Sequence, residues 1–190
     1  MSDNLSGAEK KTGSGLVFCI IFSLFFLVLV AVDQIVKQII VNNVKESGMV
    51  TVIDKFFYLH YAENTGSAFS LFADKPWGIY FLSGVSLVLG IGIFVLMIIA
   101  CRNSMKLISL AFCLLSAGAI GNLIDRFRLK YVIDFLRFDF GSYTFPIFNF
   151  ADICAVVGTI LVICIIVFGS KYFESFWNIL FAKRKGENAV

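Results

Sequence analysis

The sequence is poor in the residues from which most soluble catalytic sites are built. It has one histidine, two prolines and five cysteines in 190 residues, and charged side chains make up only 15%. One imidazole, His60, cannot build a histidine-rich metal site. Set in the aromatic run YLHY, it reads as a surface-strand residue. Cys19, Cys101, Cys113, Cys154 and Cys164 form no CxxC pair. Four of them lie in apolar blocks, Cys101 at the end of one, so they read as small apolar fillers rather than metal ligands or disulfides. No GxSxG elbow and no GxxxxGK[ST] loop occurs, and Ser67, beside Gly66, has no Lys or His base near it in sequence. The net charge of +3 is spread along the chain. It makes no basic patch interleaved with aromatics, which argues against a nucleic-acid partner.

Apolar residues are what the chain does have. They make up 59% of it, against about 45–50% in a soluble domain. They gather in four runs, Leu16 to Val32, about Ile79 to Ala100, about Leu107 to Ile124, and about Ile153 to Gly169. Each approaches the ~20 residues that cross the hydrocarbon core as a helix, and helix is required because lipid cannot hydrogen-bond the backbone. The first run is long for a signal-peptide core and no small-x-small cleavage site follows, so it reads as a retained helix. LVFC at its start is no lipobox, because a lipobox follows an apolar run.

These features imply an α-helical membrane protein of four transmembrane helices. A polar N-terminus covers residues 1–15, a membrane domain 16–169 and a basic tail 170–190. Four crossings leave both termini on one side. The linker CRNSMK carries Arg102 and Lys106 and no acid, and the tail adds Lys171, Lys183, Arg184 and Lys185. That density of basic residues assigns this side to the cytoplasm. The opposite side receives residues 33–78 and 125–152. There GMVTVIDKFFYLHYA and YVIDFLRFDFGSYTFPIF read as strands of a small extracytoplasmic sheet, within about 45–78 and 130–150, with turns at Gly66, Gly141 and Pro146. SLFADKPWGIY reads as an interfacial segment, with Trp77 and Tyr80 at headgroup level.

Polar residues near lipid are expensive and therefore informative. Asp33, Gln34 and Lys37 end the first helix, Asn64 opens NTGSAF, Asn122, Asp125 and Arg126 lie in GNLIDR, Asp134 in VIDF, and Asn149 and Asp152 in FNFAD. All fall on one membrane face. Each has a plain structural reading. Asp33 and Lys37 make an i,i+4 pair. Asp125 can satisfy a helix end or pair with Arg126 or Arg128. Asp152 can be an N-cap. Asp134, in an apolar strand, has no local partner. The catalytic alternative is a pair of carboxyls sharing one proton, the ionised one taking a proton from water while the other donates to a carbonyl oxygen. Spacing does not choose Asp134 over Asp125 for such a pair. A proton-coupled transporter using the acids as a relay, and a lipid-binding subunit in which they are only caps, are the competing classes.

Taken in order, DQIVK, NTGSAF, GNLIDR, VIDF and FNFAD between four helices resemble the bacterial lipoprotein signal peptidases (signal peptidase II), over roughly Asp33 to Cys154. The resemblance implies a membrane aspartyl endopeptidase, sensitive to globomycin, that cuts signal peptides from diacylglyceryl-modified prolipoproteins before the lipidated cysteine. It implies Asp134 and Asp152 as the catalytic pair. Asn64, Gly66, Asn122, Arg126 and Asn149 would bind substrate or support the site, and Asp33, Lys37 and Asp125 would be structural. It further implies a β cradle, a mobile interfacial segment over the site, no metal or cofactor, membrane lipid as surroundings, and a monomer in the inner membrane with its active site at the outer face.

Overall fold

The structure, a computed structural model, describes residues 3–65 and 77–181, with side chains from Gly15 onward. Five helices and four strands follow in the order α1 (Asp3–Asn43), β1 (Met49–Ile53), β2 (Phe57–Asn64), α2 (Gly78–Arg102), α3 (Lys106–Leu129), β3 (Val132–Phe140), β4 (Tyr143–Thr144), α4 (Phe150–Phe168) and α5 (Ser170–Phe181). Four of these helices are long and apolar enough to cross a membrane, over Gly15–Asn43, Gly78–Arg102, Lys106–Leu129 and Phe150–Phe168. Their outer faces carry exposed Leu24, Val88 and Ile160, as lipid-facing surfaces do. The chain is a multi-pass membrane protein.

α1 does not end at Asp33. It continues to Asn43, and Asp33, Lys37, Ile40 and Val44 are all buried. Those positions fall at i, i+4, i+7 and i+11, the spacing of one helix face. The helix goes on because this face packs against protein rather than water: Ile40 and Val44 cluster with Phe135 of β3. Asp33 and Lys37 thus sit inside a helix that emerges from the bilayer, not at its end.

α3 and α4 cross closely because their contact residues are small. A Cβ on Gly118 would lie 2.5 Å from the Ala151 carbonyl oxygen, and one on Gly158 2.9 Å from that of Ala111. α3 stops at Lys130, whose left-handed backbone (φ 68) turns the chain into β3.

The strands form one antiparallel sheet in the order β1-β2-β3-β4. Ala62 pairs with Asp134, and a bulge lies between Leu59 and Ala62. Gly141, with φ 65, makes the turn between β3 and β4. The expected turn at Gly66 and most of the interfacial segment lie outside the described residues. Trp77 and Tyr80, exposed at the start of α2, are described. Residues 170–181, expected as part of a tail, are helical as α5. Phe176 anchors that helix beneath the bundle.

Candidate active site

The site forms where one end of the helical bundle meets the sheet. After β4 the chain returns to β3 through an isolated bridge, Leu136 to Phe148. The Phe148 carbonyl receives the N–H groups of Phe135 and Leu136, at 3.0 and 2.8 Å. That bridge delivers Asn149 beside Asp134. Asn149 then caps α4: its side-chain oxygen accepts the Asp152 backbone N–H, while the Asp152 carboxylate accepts the Asn149 N–H, both at 3.0 Å. Asn149 is the N-cap and Asp152 stands at N3 of a capping box. This places the cap one turn-start earlier than the reading of Asp152 as N-cap, because Asn149 has extended backbone and Asp152 is already helical.

Asp134 and Asp152 each receive two N–H donors. Asn149 Nδ2 donates to Asp134 Oδ1 at 2.7 Å and Asn64 Nδ2 to Asp134 Oδ2 at 2.8 Å. Asn122 Nδ2 donates to Asp152 Oδ1 at 2.7 Å, and the Asn149 backbone N–H serves Asp152 Oδ2. Asp134, without a local partner in sequence, therefore has partners, brought from β2 and the start of α4. Asp134 is 3% exposed. Burial pushes its carboxyl up to about 6, and the neighbouring Asp152 charge adds to the rise, against the lowering effect of the bonds from Asn64 and Asn149.

Behind this pair lies a second network. Lys37 Nζ reaches Asp33 Oδ2 at 2.9 Å, Asp125 Oδ2 at 2.8 Å and Asn122 Oδ1 at 3.1 Å. Its three hydrogens are therefore all committed. The Asp33–Lys37 pair expected from spacing is present. Asp125 does not pair with Arg126 or Arg128. It takes Lys37, Gln34 Nε2 at 3.1 Å and the Ile133 backbone N–H at 3.2 Å. A residue at the inward face of α3 meets α1 and β3, while Arg126 turns to Ser86 of α2 and Arg128 donates to Gln34 Oε1 at 3.4 Å. Asp33 Oδ1 in turn accepts the Ala151 N–H at 3.0 Å, so α1 also holds the start of α4. The two networks share Asn122, whose oxygen accepts from Asn149 Nδ2 at 3.0 Å as well as from Lys37.

Arg126 borders the pair from α3. Its Nη1 donates to Ser86 Oγ at 3.3 Å, and its Nε is buried with no partner among the described residues. Gly66 lies outside the described residues. His60 faces Arg137 at 3.3 Å on the sheet, apart from the acids. Gln34, noted in DQIVK beside Asp33, reaches the Gly121 carbonyl as well as Asp125. Ser86 is a site neighbour that motif reading did not single out, and it has no local signature. Among the described residues no three carboxylate, imidazole or thiol groups converge as a metal site would require.

The family model for signal peptidase (SPase) II matches residues 25–168. The lipoprotein signal peptidase of Latilactobacillus sakei is 34% identical over 152 residues, 80% of this chain and 97% of that protein. That of Bacillus pumilus is 38% identical over 149 residues, 78% of this chain and 94% of the relative. A solved bacterial membrane enzyme, determined by the in meso method at 2.3 Å, superposes with a TM-score of 0.65 at 28% identity, covering 83% of this chain and 90% of its own. With four spanning helices, an antiparallel sheet at one end and the ordered motifs gathered beneath it, the chain belongs to the signal peptidase II family.

Proposed function

We propose that the chain removes the signal peptide from diacylglyceryl-modified prolipoproteins, cutting before the lipidated cysteine, with Asp134 and Asp152 as a catalytic pair. The observation that carries this reading is the double engagement of Asn149, which donates to Asp134 and exchanges bonds with Asp152. One residue thus holds two carboxyls from different elements at a single locus.

The high-lying Asp134 carboxyl suits the protonated partner. Asp152, in the first turn of α4 and held by two N–H donors, is the partner that activates water. In the reaction the ionised carboxylate takes a proton from water as its oxygen adds to the scissile carbonyl. The protonated carboxyl gives its proton to the carbonyl oxygen. Collapse of the resulting gem-diol breaks the C–N bond, and a proton passes to the leaving amine, so that one proton remains on the pair. Asn64, Asn122 and Asn149 orient the two acids. Arg126 and Gly66 border the substrate. Asp33, Lys37 and Asp125 hold the scaffold. The acids act at the outer face of the cytoplasmic membrane with both termini inside, and the protein works as a monomer.

Cleavage of a lipidated prolipoprotein by purified Asp134→Asn and Asp152→Asn tests the assignment. Both variants should accumulate normally and show no turnover. Full activity in either overturns it.

A further inference from the structure

The signal peptidase II match stops at residue 168, and α5 lies beyond it. α4 breaks at Gly169, whose N–H still bonds Ile165 O at 2.9 Å. α5 then turns back beneath the bundle, on the face opposite Asp134 and Asp152. Its surface divides into three strips. Phe176, 2% exposed, packs among Ala100, Met105, Ile108, Ala111 and Ile165 at the ends of α2, α3 and α4. Lys171, Glu174, Ser175 and Asn178 form a polar strip. Between these two strips lie Trp177 and Phe181, 53% and 56% exposed, with ring centroids 4.3 Å apart. No part of the bundle covers them among the described residues.

We propose that α5 and the α2–α3 turn form a docking surface for anionic phospholipid headgroups, with Trp177 and Phe181 seated at the headgroup–acyl boundary. Two observations select lipid as the occupant. The aromatic strip follows in the chain on the lipid-facing end of α4, where Val167 and Phe168 are 61% and 86% exposed. On this end of the bundle Arg102, Lys106 and Lys171 of the turn and the helix are exposed, against a single acid, Glu174. In sequence, Lys183, Arg184 and Lys185 follow directly. Aromatic flank, cationic rim and a polar strip toward water are what a helix lying in the membrane interface requires. Two aromatic side chains are also far short of the roughly 1,000 Å² that a stable protein interface needs.

The test uses the full chain in nanodiscs of phosphatidylglycerol and phosphatidylcholine. Trp77→Phe leaves Trp177 as the sole tryptophan. Its emission should be blue-shifted and lost to lipids brominated high on the acyl chain, more than to lipids brominated near its end. Should Trp77→Phe fold poorly, the difference between the unsubstituted protein and Trp177→Phe reports the same residue. Emission quenched by aqueous iodide and untouched by bromolipid overturns the proposal. Spin-labelled phosphatidylglycerol should be enriched at the protein over phosphatidylcholine. That selectivity should fall in the Arg102→Gln, Lys106→Gln, Lys171→Gln triple variant, and equal binding of the two lipids by the unsubstituted chain overturns the headgroup assignment. Efficient cross-linking between Trp177→Cys chains would show a second copy on this face and overturn it as well.

Discussion

Lys37 Nζ stands 3.1 Å from Asn122 Oδ1. An ammonium only donates, so this contact fixes which end of the Asn122 amide faces α1 and turns its Nδ2 toward Asp152. A cation on α1 thereby sets the orientation of a donor to an acid on α4.

Removing that cation should be severe. Lys37→Met leaves Asp33 and Asp125, 1% and 2% exposed, without their counter-charge, and breaking a buried ion pair from one side costs about 3–5 kcal/mol. Thermal unfolding in detergent should show the loss. Adding Asp125→Asn to Lys37→Met should recover part of it, since one stranded charge disappears.

Asn149 has two separable duties. Asn149→Ala loses the α4 cap, costing about 1 kcal/mol, and also loses the donor to Asp134. Asn149→Ser keeps a capping oxygen but is too short to bridge to Asp134. Melting temperatures should rank Ser above Ala, while prolipoprotein cleavage falls in both, by about 100-fold or more if the amide serves the reacting pair as a preorganised donor.

Asp134 links stability to pH. Its folded value, about 6, lies above the ordinary 3.8. The folded state therefore holds the proton more tightly, and this contribution is complete below the ordinary value and lost as pH rises through about 6. The shift corresponds to about 3 kcal/mol. Unfolding measured across this window should show the chain losing stability relative to Asp134→Asn, in which the titration is absent. Parallel pH dependence of the two proteins would contradict it.

Gly118 marks the closest approach of α3 and α4. In Gly118→Ala the new Cβ would meet backbone, 2.5 Å from Ala151 O and 2.9 Å from Ala155 N, so no side chain can swing aside. Overpacking of this kind costs about 1–3 kcal/mol. Because Ala151 adjoins Asp152, turnover should drop along with the melting temperature.

The spanning helices were legible because apolar runs of sufficient length have few alternatives in lipid. The strands were legible from β-branched and aromatic residues in GMVTVIDKFFYLHYA and on either side of Gly141. Helix ends were less so: α1 passes Asp33 because Ile40 and Val44 find Phe135, a tertiary contact invisible in local hydropathy. The partners of Asp125 were hidden for the same reason, since Lys37 is 88 positions away in sequence while Arg126 and Arg128 are adjacent. Choosing Asp134 needed the ordered motifs. Its surroundings come from Asn64, 70 positions earlier, and Asn149, 15 later, and no spacing rule connects them.

The i,i+4 placement of Asp33 and Lys37 has a consequence for biosynthesis. Translation delivers α1 long before α3, so Asp125 and Asn122 do not yet exist when the first helix enters the bilayer. Opposite charges one turn apart neutralise each other at once, and α1 can wait as a self-sufficient dipole. When α3 emerges, Lys37 gains a second carboxylate without surrendering the first. α4 then finds a prepared carboxylate oxygen for its N–H at Ala151, so the order of assembly is written into which residue holds which.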